Sequence, residues 1–153
     1  MQLFKSIITA SAFLVLSAAT ALHGSEFQVN INTAPLSGTQ TIAFSLTDGD
    51  GLVDNEVTLT NFAFGGGNPL GTPTDSGSGI AGNLTSGVSI TNQDFLELFS
   101  QQFNPGSLLS FDLTTTNAFA GGTPDGFLMY LCDASFSTCS SNDPSTDAML
   151  ACN

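Results

Sequence analysis

A dense group of oxygen-bearing side chains lies between residues 48 and 56, in the segment DGDGLVDNE. Crowded carboxylate oxygens in a loop are the ligands that Ca²⁺ takes in proteins. The spacing resembles half of an EF-hand-like or thrombospondin-type calcium loop, but leucines stand at its fifth and twelfth positions. The alternative is a plain hairpin turn, since Asp-Gly favours such turns. We predict a calcium site with the ligands Asp48, Asp50, Asp54 and Glu56.

Catalytic chemistry has few residues to use. The one His is His23, near the start of the chain, so a His-activated nucleophile and an imidazole zinc site lack their partners. A carboxylate pair can hydrolyse glycosidic bonds. The acidic residues considered for that role lie in no recognisable motif; they are Asp94, Glu97, Asp112 and Asp125. We expect no enzymatic activity, no catalytic residue and no cofactor other than calcium.

The charge of the chain excludes one large class of partners. The sequence has 13 Asp and Glu, all from Glu26 onward, and one basic residue, Lys5, which gives a net charge of −12. A protein without Lys or Arg beyond residue 5 cannot neutralise phosphates, so we expect no nucleic-acid binding. Any cation that it uses must come from solution.

The N-terminus has the pattern of an export signal. Lys5 precedes an apolar run, and Ala19-Thr20-Ala21 fits the rule for cleavage between small residues. We therefore predict a signal peptide over residues 1–21 and one domain over residues 22–153, secreted or held at the cell surface. The alternatives are an N-terminal anchor or a buried helix. The apolar run is short for a membrane span, and we expect none in the mature chain.

Three cysteines fall near the C-terminus. In an exported chain they are expected to oxidise. Cys132 and Cys139 flank the short segment DASFST, so we predict that they form a disulfide across a hairpin loop. Pairing of either residue with Cys152, or an intermolecular bridge, is the alternative.

The elements that must position these residues are predicted to be β-strands. Apolar residues alternate with polar ones in FQVNI, TIAFSLT, VTLT, LLSFDLT and FLMYL. Residues 65–83 are rich in Gly, Pro and Ser and read as a long loop that crosses between sheets or covers one end. Roughly eight to ten short strands predict an all-β fold, an antiparallel β-sandwich of jelly-roll type.

Residues 92–99 are ambiguous. Thr91 or Asn92 could cap a helix, and Phe95, Phe99 and Phe103 fit a helical stripe. The same three residues also fit the period of two that a strand requires. We predict one short helical turn near 92–99 followed by a strand, with an uninterrupted strand as the alternative.

Several segments in order resemble a bacterial family. FQVNINTAPLSGTQTIAFSLTDGDGLVDNEVTLTNFAFGGG and DFLELFSQQFNPGSLLSFDLTTTNAFAGGTPDGFLM are similar to the β domain of PEP-CTERM proteins, which are sorted by exosortase. The resemblance covers most of residues 26–150. It implies export, a β domain and a place at the cell surface or in exopolysaccharide matrix, but no defined activity. Members of that family end in a Pro-Glu-Pro motif, a membrane helix and a basic tail, which are not found before Asn153.

Two functions follow as expectations. The first is an acidic extracellular-matrix protein, associated with exopolysaccharide, that binds no small ligand. The second is a carbohydrate-binding or adhesin module that binds its ligand with or without the assistance of calcium. The chain has no Trp, so sugar stacking would depend on Tyr130 or an exposed Phe. An exposed cluster around Tyr130 would favour the second function, whereas an evenly polar surface would favour the first. Edge strands without Lys also make self-association an expectation.

Overall fold

The computed structural model describes residues 24–116, 118, 122–140 and 149–152. The predicted signal peptide over residues 1–21 and His23 lie outside these ranges. Regular structure in the described residues consists of eleven strands. They are β1 (Ser25–Asn32), β2 (Gln40–Thr47), β3 (Glu56–Ala63), β4 (Asn68–Ser76), β5 (Ile80–Asn83), β6 (Gly87–Thr91), β7 (Leu96–Asn104), β8 (Leu108–Thr115), β9 (Gly126–Asp133), β10 (Cys139–Ser140) and β11 (Leu150–Cys152).

The strands form two antiparallel sheets. The first sheet has the order β1-β8-β3-β6-β5, and the second has the order β10-β9-β2-β7-β4, with β11 also paired to β9. The pairs β1–β8, β2–β7 and β3–β6 nest inside one another and alternate between the sheets, which is the wrapping of a jelly roll. The predicted all-β sandwich of jelly-roll type is therefore confirmed. Strands β9 to β11 extend the second sheet on the side of β2 that faces away from β7.

Alternating side chains from both sheets build one core. Phe44 of β2 lies at its centre, with its ring 5.9 Å from Phe99 of β7 and 5.7 Å from Phe111 of β8. The rows on β2 and β8 that face inward are fully or almost fully buried, as the alternation predicts. A register shift between Thr60 and Ala63 marks a β-bulge in β3, just before Phe64. Burial of these apolar rows fixes the strand register, because a slip of one residue would expose every inward side chain.

The predicted helical turn near 92–99 is wrong. Leu96–Asn104 is a strand that pairs with β2 on one side and β4 on the other, so period two governs the segment. Phe99 and Phe103 are buried whereas Phe95 is 76% exposed, and a helical stripe would have buried all three rings together. Within the described residues, no helix is long and apolar enough to span a membrane.

The long loop predicted over residues 65–83 is also partly wrong. It contains β4 and β5, and Pro69 and Pro73 are tolerated in β4 because this strand lies at the edge of its sheet. The register of β4 shifts between Leu70 and Thr74. The expected crossing between sheets is confirmed, since β4 belongs to the second sheet and β5 to the first.

Candidate functional site

Two loops are candidates for a functional site: one groups acidic side chains and the other carries an aromatic ring. The first is the acidic loop of residues 48–55. Carboxylate oxygens of Asp48, Asp50 and Asp125 lie within 4.8 Å of one another. Asp125 immediately precedes β9 and accepts a hydrogen bond of 2.8 Å from the Gly49 amide. A Cβ atom at Gly49 would collide with the carbonyl oxygen of Pro124, so glycine is required for this close approach.

Two asparagine side chains hold the acidic loop in place. Asn92 is fully buried; its Oδ1 accepts the amides of Asp54 and Asn55 at 3.1 and 3.0 Å. Its Nδ2 donates to the carbonyl of Leu52 at 2.7 Å and to Asp125 at 2.6 Å. The side-chain Nδ2 of Asn55 also donates to Asp125, at 3.0 Å. Both Asn side chains therefore act as internal connectors between the loop and the start of β9.

The structure places the four predicted calcium ligands differently from one another. Asp48 and Asp50 are grouped with Asp125, which the sequence analysis did not include. Asp54 lies beside this group, and its pKa is raised by burial first and then by the charges of Asp50 and Asp125. Glu56 accepts a hydroxyl hydrogen bond from Ser89 at 2.6 Å. The donor set that could hold a divalent cation is thus Asp48, Asp50 and Asp125.

The second loop is the hairpin loop of residues 133–139, which connects β9 to β10. Cys132 and Cys139 face each other in the strand register and form a disulfide, so the predicted pairing is confirmed. Cys152, the alternative partner, is a half-buried free thiol opposite Phe127, and burial raises its pKa.

Asp133 organises the hairpin loop from inside. Its carboxylate accepts the amides of Ser135 and Ser137 at 3.0 Å each and both hydroxyls at 2.8 Å. These hydrogen bonds, led by the Ser137 amide, hold the pKa of Asp133 well below its usual range. The Gln102 side chain of β7 donates to the Ala134 carbonyl at 3.0 Å. The loop is therefore tied down on the outer surface of the second sheet.

Phe136, at the tip of the hairpin loop, is backbone-strained and exposed at once. Its φ is 56°, a left-handed value that is a genuine outlier for a bulky side chain. The residue is 42% exposed, and its ring meets Tyr130 edge to face with 6.4 Å between centroids. Such strain costs about 1–3 kcal/mol and persists only where the surroundings impose it.

Phe136 stands over a groove on the outer face of the second sheet. β2 offers only small residues there, Thr41, Ala43 and Ser45, and all three are buried. Their neighbours on β7 and β9 include the larger residues Leu98, Gln102 and Tyr130. The Tyr130 chamber of this aromatic groove measures about 520 Å³, and its lining includes Ser45, Leu96, Leu98, Tyr130, Phe136 and Thr138. The Gln102 chamber measures about 390 Å³, and its lining includes Thr41, Leu70, Thr74, Gln102, Ser135 and Phe136.

The aromatic groove has the properties of a binding site for an uncharged polar ligand. Both chambers lie within the usual range of ligand pockets, about 300–1,000 Å³. They combine rings with hydroxyl and amide groups, the mixture that fixes a hydroxylated ring compound by contact and hydrogen bonding. The binding residues were left unknown in the sequence analysis, apart from the expectation for Tyr130.

The acidic residues considered for glycoside hydrolysis lie elsewhere. Glu97 is fully buried and accepts the amides of Gly79 and Asp94. Asp94 accepts the amide and hydroxyl of Ser78, and Asp112 accepts the Asn61 side chain. Asp125 belongs to the acidic loop contact. Each is therefore used as a hydrogen-bond acceptor that anchors a loop or strand.

Phe136 is a groove residue that the sequence analysis did not name. Its only sequence signal is an aromatic residue inside a short loop flanked by two cysteines. Its strained backbone and its contact with Tyr130 depend on the fold. Comparison of the chain with protein-family models, with curated proteins and with solved structures gives no match.

Proposed function

We propose that the protein is an exported, acidic, non-catalytic glycan-binding module of the cell surface or extracellular matrix, associated with exopolysaccharide. The observation that carries this proposal is Phe136, an exposed ring held in a strained conformation against Tyr130. A disulfide, the Asp133 hydrogen bonds and the Gln102 contact all restrain the loop that presents it. Backbone strain of this kind clusters at ligand-binding sites.

Glycan chemistry suits the lining of the aromatic groove. A sugar ring has an apolar face of C–H groups that packs on an aromatic ring, and hydroxyls around its rim. Tyr130 and Phe136 offer the ring surfaces, and Ser45, Thr138 and Gln102 offer hydroxyl and amide partners. An aromatic body with a polar tip, as in Tyr, is favoured where one side of a contact is apolar and the other wet.

Other features support the cellular setting and the absence of catalysis. A disulfide persists in oxidising compartments such as the periplasm or the exterior. The N-terminal pattern and the resemblance to PEP-CTERM proteins agree with export. Asp125 accepts hydrogen bonds at both of its oxygens, and buried Glu97 accepts two backbone amides. These carboxylates are engaged in positioning, which favours a binding role over proton transfer.

Affinity electrophoresis tests the proposal. Native gels cast with soluble polysaccharides should retard the wild-type protein. Tyr130→Ala and Phe136→Asn should migrate as in gels without glycan. Phe95→Ala is the matched control, because Phe95 is 76% exposed and lines neither chamber of the groove.

The stability of each variant separates binding from folding. Asn tolerates the left-handed conformation, so Phe136→Asn relieves strain while it removes one ring contact. We expect its free energy of unfolding to stay within about 1 kcal/mol of wild type. Retardation of Tyr130→Ala and Phe136→Asn equal to wild type would contradict the proposed site. The absence of retardation on any glycan would return the protein to a matrix role without a ligand.

A further inference from the structure

We propose that the aromatic groove takes uncharged glycans and that the acidic domain around it rejects polyanionic ones, an inference that rests on the proposed glycan-binding function. Charge, rather than any single contact, then sets the ligand class. Two observations carry the inference: the lining of the groove and the distribution of charge outside it.

The lining of the groove is uncharged. Among the described residues, neither chamber has an Asp, Glu, Lys or Arg side chain in its wall. The polar groups of the lining are hydroxyls and amides, among them Ser45 and Thr138 in the Tyr130 chamber and Thr74 and Gln102 in the Gln102 chamber. Such groups exchange hydrogen bonds with sugar hydroxyls without the desolvation penalty of a buried charge. A charged sugar would lose hydration in the groove and gain no ionic partner.

The charge around the groove has one sign. The 13 acidic residues all lie from Glu26 onward, and the one basic residue is Lys5. Asp133 stands next to the Gln102 chamber at the base of the hairpin loop, and its hydrogen bonds keep it ionised. Summed charge of one sign produces a surface potential that repels like-charged ligands over roughly a Debye length. A polyuronate therefore meets repulsion before it reaches the rings.

For polycationic glycans the long-range electrostatic effect is attraction instead of repulsion. They are attracted to the acidic surface at long range, but the groove has no carboxylate in its described lining to hold an amine. Their binding should be spread over the surface, weaken with salt and remain after substitution of Tyr130. Sensitivity to Tyr130 thus separates groove binding from surface attraction.

The two chambers meet at Phe136 and Leu98, which line both. An unbranched chain can therefore pass from one chamber to the other and contact the ring of Phe136 along the way. The ligand class is an uncharged glycan with consecutive sugar units available for contact.

The experiment compares three soluble polymers of similar length: a neutral glucan, a polyuronate and a deacetylated hexosamine polymer. Binding to wild type and Tyr130→Ala is measured by calorimetry at about 10 mM and about 150 mM NaCl, where the Debye length is about 30 Å and about 8 Å. For the neutral glucan we expect an affinity that changes less than about twofold with salt and is lost in Tyr130→Ala. For the polyuronate we expect no Tyr130-dependent binding.

The outcomes separate the two proposals. Tyr130-dependent binding of the polyuronate or the polyamine in preference to the neutral glucan would overturn the charge inference while glycan binding stands. A change of about tenfold or more in neutral-glucan affinity between the two salt concentrations would also overturn it. If no polymer binds in a Tyr130-dependent way, the proposed function itself fails.

Discussion

Strand β9 is bracketed by two aspartates that do similar structural work in opposite surroundings. Asp125 precedes the strand and accepts hydrogen bonds from Gly49, Asn55 and Asn92. Asp133 ends the strand and accepts hydrogen bonds from two serines. Asp125 lies beside two further acidic side chains, Asp48 and Asp50. Asp133 instead holds the loop that presents the exposed ring of Phe136.

The difference teaches how neighbours decide the role of a carboxylate. In the acidic loop, burial and like charges raise the pKa of Asp54. In the hairpin loop, amide and hydroxyl donors lower the pKa of Asp133. One end of β9 therefore carries electrostatic repulsion that a cation would relieve, and the other is satisfied by the protein's own donors.

The largest effect is expected from Asn92→Ala in the acidic loop. It removes four hydrogen bonds and leaves the buried amide of Asn55 and the Asp125 carboxylate short of partners. We expect the free energy of unfolding in urea to fall by about 3 kcal/mol or more. Asn30→Ala, on an exposed position of β1, should change it by less than about 0.5 kcal/mol. Equal effects of the two substitutions would contradict the connecting role of Asn92.

A smaller effect is expected when the hairpin loop loses its disulfide. The bridge closes a loop with a sequence separation of 7, so Cys132→Ser with Cys139→Ser should lower the free energy of unfolding by about 2–3 kcal/mol. Glycan retardation should also decrease, since Phe136 is no longer held over the groove. Cys152→Ser is the control and should keep full retardation. Undiminished retardation of the double variant would show that the disulfide does not present Phe136.

Calcium should distinguish the two ends of β9. We expect millimolar CaCl₂ to raise the melting temperature by a few degrees above NaCl of equal ionic strength, because a divalent cation relieves the repulsion among the grouped carboxylates. Asp50→Asn should lose most of this rise, and Asp133→Asn should retain it. A melting temperature that responds equally to both salts would make the acidic loop a plain turn.

The pH dependence should be the smallest and most local difference. The native-state pKa of Asp54 is above its unfolded value, so the native state binds the proton more readily and stability rises as pH falls through that raised pKa. The native-state pKa of Asp133 is below its unfolded value of about 3.9, so its contribution is present above that pH and is lost on further acidification. Denaturation curves across this range should show that Asp54→Asn removes the first trend and Asp133→Asn the second. Identical pH profiles for both variants would contradict the contrast.

Much of the frame was predictable from the sequence because the inward faces of the central strands β2, β3, β7, β8 and β9 are buried. Residues such as Phe44, Leu59 and Phe111 recur at a period of two, and the core must bury them. β4 was missed because prolines and glycines look like loop residues, and only its position at a sheet edge makes them acceptable. The segment near 92–99 was misread because Phe95, Phe99 and Phe103 satisfy two periods at once.

The candidate site was less predictable, because long-range contacts create it. Asp125 lies 76 residues from Gly49 in sequence, and Gln102 lies 32 residues from Ala134. No local sequence pattern predicts these long-range contacts. The disulfide was predictable because its cysteines flank a short loop, but the orientation of Phe136 over Tyr130 depends on sheet geometry.

The absence of Lys and Arg beyond Lys5 has a further consequence for proteolysis. Proteases of the trypsin type cut after Lys or Arg, and beyond Lys5 this chain offers them no such bond. Enzymes with that specificity should leave residues 6–153 intact even when the strands open transiently. Resistance to this class of protease is therefore a property of the composition and does not depend on the fold.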